Sequence, residues 1–425
     1  MQSIQEMINR LNEPECEARL ETLYGKGQAA RQKERYAALI RRYEKEFGPC
    51  EKLYLISAPG RTEIGGNHTD HNNGRVLAAA VNLDALCAVA PREDLTVSFH
   101  SEGYKPIQMT LDQLEPQPNE KGTTRGLIRG VASGMKNAGY AIGGFNAVVT
   151  STVAGGSGLS SSAALEVMLT GVLDALYNRF DMPYVLRAQI SQRAENLFFG
   201  KPSGLLDQMA SAAGGLVTVD FRDNAHPEVH PLKYDFGQKG YTLVVTATGG
   251  SHANLTDHYA AIPAEMKQIA QYFGQKTLRG ITADQVCRKA GALRKTAGDR
   301  AVMRALHFIR EDERVPREVE ALEQDCLPRF LELVIESGRS SFQYLQNVYV
   351  DNRDQSLSLA LCLAEERLRG EGAWRIHGGG FAGTILSFVP TEKTEGFVSM
   401  MENAFGKGCC HELNIRPEGA VCIIL

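Results

Sequence analysis

Residues 151–165, STVAGGSGLSSSAAL, place three glycines and a run of three serines between a β-prone stretch and an apolar-periodic helix through Leu165, Leu169, Val172 and Leu176. Gly155, Gly156 and Gly158 lack the Cβ atoms that would hold a ligand off the backbone. Ser157, Leu159, Ser160, Ser161 and Ser162 bring free N–H groups and hydroxyls to a helix N-terminus. Both features favour an anion, and the chemistry they fit is phosphate binding. A Gly/Ser turn ending in a serine N-cap is the alternative. The lysine of a GxxxxGKS/T loop is missing, so a Walker-type nucleotide site is not supported. A later cluster, Gly378, Gly379, Gly380 and Gly383, precedes the β-prone TILSFV. It is either a backbone that closes over the nucleotide or a plain tight turn.

Two other segments carry polar side chains at chemically useful density. Residues 58–74, APGRTEIGGNHTDHNNG, gather Arg61, Asn67, His68, Asp70, His71, Asn72 and Asn73 in one glycine-punctuated stretch. Each buried hydroxyl of a sugar needs directed donors and acceptors in place of water, so the stretch suits a polyhydroxylated ligand. Metal binding by HTDH is disfavoured because no third and fourth ligand stand nearby, while a polar surface loop stays open. Residues 194–211, AENLFFGKPSGLLDQMAS, put Asp207 after a Pro/Gly turn at the start of an apolar helix. There it either caps the helix or accepts the proton of an attacking hydroxyl.

The elements that hold these segments follow from the hydrophobic pattern. Residues 1–48 are charged, with Ile4, Met7, Ile8 and Leu11 at helical spacing, and read as a helical arm. LYLIS, VLAAAVNLDALCAVA and FNAVVTSTV then read as strands between glycine-rich turns, giving an α+β domain over 49–230. A polar stretch at 222–240 connects it to a second domain over 231–425, opened by the strand YTLVVTAT. Long helical patterns from Tyr259 to about Leu368 lead on to a strand pair around GAWRIHGGGFAGTILSFV. Two domains also suit a length of 425 residues, which exceeds what one hydrophobic core usually supports.

Composition narrows the partners. With 46 basic and 50 acidic side chains interspersed, the net charge of −4 gives no broad footprint for nucleic acid or an anionic membrane. An anionic substrate needs locally placed positive groups. Residues 1–20 have no apolar core of the signal-peptide kind, and no later run approaches eighteen apolar residues, so a cytoplasmic location is expected. The nine cysteines form no CxxC pair, which supports neither a zinc ribbon nor a disulfide framework. Adjacent Cys409 and Cys410 read as structural.

Taken in chain order, GRTEIGGNHTDHNNG, GGSGLSSSAA, KPSGLLDQ and GGGFAGT resemble the motifs of the galactokinase family, within the GHMP small-molecule kinases. The resemblance runs from about residue 50 to the C-terminus. It implies an α+β, two-domain GHMP kinase fold, with a left-handed βαβ crossover in the N-terminal domain and a ferredoxin-like C-terminal domain. The implied activity is transfer of a phosphoryl group from ATP, with Mg²⁺, to the anomeric hydroxyl of galactose by a monomeric enzyme. By matching motifs, Asp207 takes the position of the catalytic aspartate and Arg61 that of the arginine beside it. Ser162 and Glu195 take the metal positions, the loop 155–162 holds ATP, and Asn67, His68, Asp70, Gly204 and Tyr259 fall where the family contacts the sugar.

The chain departs from the pattern at Asn67, where the family commonly has glutamate near the sugar's C6 hydroxyl, at His71, commonly tyrosine, and at Ala382. Asparagine removes a charge that would repel a C6 carboxylate, so kinases for galacturonate, N-acetylgalactosamine or arabinose are alternatives. A non-catalytic sugar and ATP sensor is another. Intact Ser160, Ser161, Ser162 and Asp207 favour catalysis.

Overall fold

The computed structural model describes residues 4–249, 255–350, 353–381 and 383–424, so Ala382 lies outside the described residues. The helical spacing of the first 48 residues is realised in α1 (Ile4–Arg10), α2 (Pro14–Tyr24) and α3 (Ala29–Phe47). Strands β1 (Tyr54–Gly65), β2 (Arg75–Pro91), β3 (Thr96–Ser101), β4 (Ile107–Thr110), β5 (Phe145–Ser151), β6 (Leu216–Asp220) and β7 (Glu228–Leu232) follow. Among them lie α4 (Thr124–Asn137), α5 (Ser161–Tyr177), α6 (Tyr184–Arg193) and α7 (Leu206–Ala213).

Side chains alternate across a strand, and here both faces of the sheet are covered. Leu55, Leu86, Ala88 and Val148 meet Leu20, Leu23, Tyr36 and Ile40 of the arm. Ile56, Cys87, Val89 and Val149 join Val167, Val172 and Leu173 of α5 in the main core. Double coverage is why β2 reads as an apolar run without clean alternation. Each fully buried leucine on these faces contributes roughly 1.5–3 kcal/mol of transfer free energy.

The second sheet is built from β8 (Tyr241–Ala247), β9 (Ala373–His377), β10 (Thr384–Pro390) and β11 (Cys410–Leu413), all antiparallel in the order β11-β8-β10-β9. Numbered along the chain that order is 4-1-3-2. With helices after the first strand, namely α8 (Thr256–Tyr272), α9 (Ala283–Ala297), α10 (Asp299–Glu323), α11 (Leu327–Ser340) and α12 (Ser356–Leu368), and α13 (Thr394–Phe405) after the third, it is ferredoxin-like. The last strand, β12 (Val421–Ile424), returns to pair with β1, so the first sheet runs β12-β1-β2-β5-β3-β4, with β6 on β2 and β7 on β6. Among the described residues only β3 and β5 pair in parallel there. The polar stretch 222–240 is not all connection, because β7 forms within it as a largely exposed edge strand on β6. The chain changes sheet between residues 233 and 240. Among the described residues no helix is long and apolar enough to cross a membrane, and all nine cysteines are free thiols.

Candidate active site

The register of β1 against β2 shifts between Pro59 and Arg61 and again between Glu63 and Gly65. Such irregularities bend a strand and re-aim its side chains. Arg61 is thereby brought against three acceptors. Its Nε donates to Asp207 Oδ1 at 2.7 Å, its Nη2 to Asp207 Oδ2 at 2.8 Å, and its Nη1 to the Gly158 carbonyl at 2.5 Å. One planar guanidinium therefore ties the first turn of α7 to the glycine loop ahead of α5. The Arg61 N–H adds a backbone bond to the Leu159 carbonyl at 3.0 Å.

Ser160 stands at the N-cap of α5 with φ of 59°, a left-handed conformation that costs a non-glycine residue free energy. Its hydroxyl makes no cap bond and donates instead to Asp207 Oδ2 at 2.6 Å. Asp207 in turn does not cap α7. Burial alone would raise its carboxyl, but the charge and hydrogen bonds of Arg61, with Ser160 behind them, hold it down at about 2. The carboxylate is ionised and still about a third exposed, with a relative side-chain exposure of 32%. Gly158 is required by space as well as by its φ of 74°, since a Cβ there would lie 2.1 Å from Thr384 Oγ1.

A second carboxylate lies behind the loop. Residues 194–199 form a π-helical turn, an arrangement often found at functional sites, and it buries Glu195. Glu195 Oε1 accepts from Ser162 Oγ at 3.2 Å and from Lys201 Nζ at 2.8 Å, and Oε2 accepts from Ser203 Oγ at 2.5 Å and Gln208 Nε2 at 2.9 Å. Gln208 also reaches Glu166 at 2.9 Å, whose other oxygen is buried without a partner. Burial, with the Glu195 charge added, raises the Glu166 carboxyl well above the usual range, so this neighbour is neutral. Glu195 and the serine hydroxyl thus form a hard oxygen pair, with Lys201 as the nearby cation.

The polar segment after β1 splits into two groups. His68, with φ of 57°, has its Nε2 at 3.0 Å from the Gly379 carbonyl, which fixes Nε2 as the donor and leaves Nδ1 as an acceptor. Burial lowers the ring to about 3, so it is neutral. Asp70 packs so closely on Gly204 that a Cβ there would fall 1.7 Å from Asp70 Oδ2. The Tyr259 hydroxyl donates to the Gly380 carbonyl at 2.9 Å, bringing α8 to the glycine turn after β9. Asp207 and Asp70 both act electrostatically on Arg61, so this group adjoins the Arg61–Asp207 pair.

Asn67 belongs to the other group. It is wholly buried: its Nδ2 donates to Glu63 Oε1 (2.9 Å) and the Gly378 carbonyl (2.7 Å), and its Oδ1 accepts from Ser341 Oγ (3.2 Å) and Asn347 Nδ2 (3.0 Å). An amide has two donor hydrogens and one acceptor oxygen, and here all are occupied by protein. The side chain expected to face the sugar is therefore taken up by partners within the protein. Asn72, bonded to Met266 Sδ and the Leu278 N–H, and Asn73, bonded to the Arg222 carbonyl, are likewise used by the fold.

Comparison with known proteins matches residues 41–91 to the galactose-binding signature of galactokinase and residues 126–215 to the N-terminal domain of GHMP kinases. A galactokinase of Streptomyces coelicolor is 31% identical over 370 residues, covering 86% of this chain and 91% of that protein. One of Glaesserella parasuis is 31% identical over 371 residues, covering 86% and 92%. The chain belongs to the galactokinase family. The crystal structure of Lactococcus lactis galactokinase complexed with galactose superposes with a TM-score of 0.79 at 23% identity, over 90% of this chain and 98% of that one. Methanococcus jannaschii mevalonate kinase superposes with a TM-score of 0.61 at 14% identity, over 86% and 99%. These likenesses identify the fold as that of the GHMP kinases.

The galactokinase signature spans Arg61 to Asp70, and the GHMP segment spans the glycine loop, Glu195 and Asp207. Several residues at the junction escaped the reading of the sequence: Glu63, Lys201, Ser203, Gln208 and Arg375. Glu63 had a usable signal, since it follows Arg61 by two positions on a strand and so shares its face. Lys201 and Ser203 lie inside KPSGLLDQ but carry no signal of their own until folding sets them on Glu195.

Proposed function

We propose that this galactokinase-family chain transfers the γ-phosphoryl group of ATP to the anomeric hydroxyl of galactose. It is an ATP-dependent sugar kinase. The observation that carries this reading is the Asp207 carboxylate, gripped by Arg61 and Ser160 at the mouth of the glycine loop and about a third exposed. The N–H groups of residues 156–162 and the start of α5 face the phosphates. The sugar lies against His68, Asp70, Gly204 and Tyr259. The unit over 49–230, completed by β12 returning from the far end of 231–425, supplies the loop and the base, and the rest of 231–425 supplies Tyr259 and the turn at Gly378–Gly380.

In the reaction the sugar oxygen forms a bond to the γ-phosphorus as the bond to the β-bridging oxygen breaks, and ADP leaves. Asp207 receives the hydroxyl proton and later releases it to water. A carboxyl held at about 2 is too weak a base to deprotonate the sugar first, so its proton arrives as the new P–O bond forms. Arg61 faces the charge of the migrating group, and positioning supplies the rest.

Ser162 and Glu195 would hold Mg²⁺. The fit rests on their hard oxygen donors, 3.2 Å apart. The remaining positions of such an ion would be filled by phosphate oxygens and water. When bound, the ion supplies charge neutralisation at the phosphates. Ser162→Ala is expected to raise the Mg²⁺ concentration at half-maximal rate and to lower turnover. A magnesium titration overlaying that of the wild type at equal rate would assign the ion elsewhere.

The test of the function is ADP release across galactose, galacturonate, N-acetylgalactosamine and arabinose. Galactose should give the highest kcat/KM, and release that is equal with and without every sugar would sink the reading.

A further inference from the structure

The carboxylate nearest the buried amide of Asn67 belongs to Glu63, on β1. Its Oε1 is doubly held, by Arg375 Nη2 at 2.8 Å and Asn67 Nδ2 at 2.9 Å. Its Oε2 has no hydrogen-bond partner among the described residues, yet it is not one of the sealed, unsatisfied atoms, because the side chain keeps 8% of its surface exposed. Glu63 and Arg61 point to one side of the strand, and the Glu63 charge is felt at Arg61 as Asp207 is felt at Glu63. Asn67 also holds the Gly378 carbonyl, and Gly378 stands against Arg61, where a Cβ would lie 3.9 Å from Nη2. Glu63, Asn67, Gly378 and Arg61 therefore form one continuous wall.

We infer that Glu63 is a specificity-determining residue of this cleft: its free carboxylate oxygen accepts a hydrogen bond from a sugar hydroxyl other than the one phosphorylated, and its charge turns away sugar acids. The inference rests on the sugar-kinase reading above and names the group that reads the sugar in place of Asn67. Burial pushes the Glu63 carboxyl up to about 7 against the pull of Arg375 and Arg61, so a donated hydroxyl at Oε2 is the partner its ionised form lacks. A carboxylate on the ligand at the same place would meet like charge on a largely buried group, which costs more than a lost hydroxyl contact. The neutrality of Asn67 consequently does not open the cleft to galacturonate.

Glu63→Gln isolates the free oxygen. Arg375 and Asn67 both donate, so they fix the glutamine oxygen on their side and leave an NH₂ facing the cleft where an acceptor stood. The KM for galactose should rise on the order of 10- to 100-fold, as for loss of a charged hydrogen bond, with the KM for ATP within about twofold of wild type. The ratio of kcat/KM for galacturonate to that for galactose should rise. If Glu63→Gln does not fold, Glu63→Asp keeps the charge for Arg375 and draws the carboxylate back by one methylene, with the same split between sugar and ATP expected. A galactose KM within about twofold of wild type in the folded variant would overturn the inference while leaving the galactokinase reading intact. A wild-type protein without sugar-dependent turnover would instead remove that reading.

Discussion

Asp207→Asn is expected to fold, bind ATP and lose on the order of 10²–10⁴ of its turnover. The substitution keeps the shape that fits between Arg61 and Ser160 and deletes the proton acceptor. The glycine loop keeps its own contacts, including Arg61 to the Gly158 carbonyl, so the ATP dissociation constant by calorimetry should change little. A variant retaining more than about half of normal turnover would take Asp207 out of the base role. The wild-type pH profile follows from the same contacts. Since Arg61 holds the folded carboxyl at about 2, below its unfolded value of about 3.9, the ion pair stabilises the fold fully above about pH 4. That contribution is lost as pH falls toward 2. Activity should therefore show no acid limb from Asp207 near neutrality.

Arg61→Met should bring such a limb into view. Burial is the largest influence on Asp207 and raises its pKa, and Arg61 is the largest influence against it. With the guanidinium replaced by an apolar chain of similar length, burial wins. The acid limb of kcat/KM should move up by roughly 1–3 pH units, the range seen when a carboxylate gains or loses a close cation. Turnover should fall by about 10²–10³ as well, because a donor facing the migrating phosphoryl group is gone. Combined with Asp207→Asn, the loss should be far smaller than the product of the single losses, since the two residues act as a unit. An acid limb at the wild-type position would show that Arg61 does not set the charge of Asp207.

Much of this site was legible because its chemistry is local. The glycines and serines of 155–162, the helix after them and the acid at 207 are patterns a few residues long, and each does in the fold what its type permits. The alternatives left open for Ser160 and Asp207, a cap in each case, dissolve because the two side chains bond each other across 47 residues of sequence. The partners of Asn67 were hidden for the opposite reason. Nothing near it in sequence shows that Ser341, Asn347 and the Gly378 carbonyl will occupy its amide. Glu63 waits on Arg375, 312 positions away. The arm was readable as helix from its spacing, and the need to cover a second sheet face was written in the unbroken apolar run of β2. Only the assembled sheet connects the two. Strand β7 was hidden by its polarity, which an exposed edge tolerates.

The most direct test of the account is phosphorus NMR of a single reaction mixture containing the protein, ATP, Mg²⁺ and galactose, run beside one in which methyl galactoside replaces the free sugar. The central claim is attack by the anomeric hydroxyl with Asp207 as the proton acceptor. It predicts a new sugar phosphate resonance growing with ADP from galactose, none from the glycoside whose anomeric oxygen is blocked, and almost none from galactose with Asp207→Asn. A sugar phosphate formed equally from the methyl glycoside would contradict it, because the phosphoryl group would then have been accepted by a different hydroxyl.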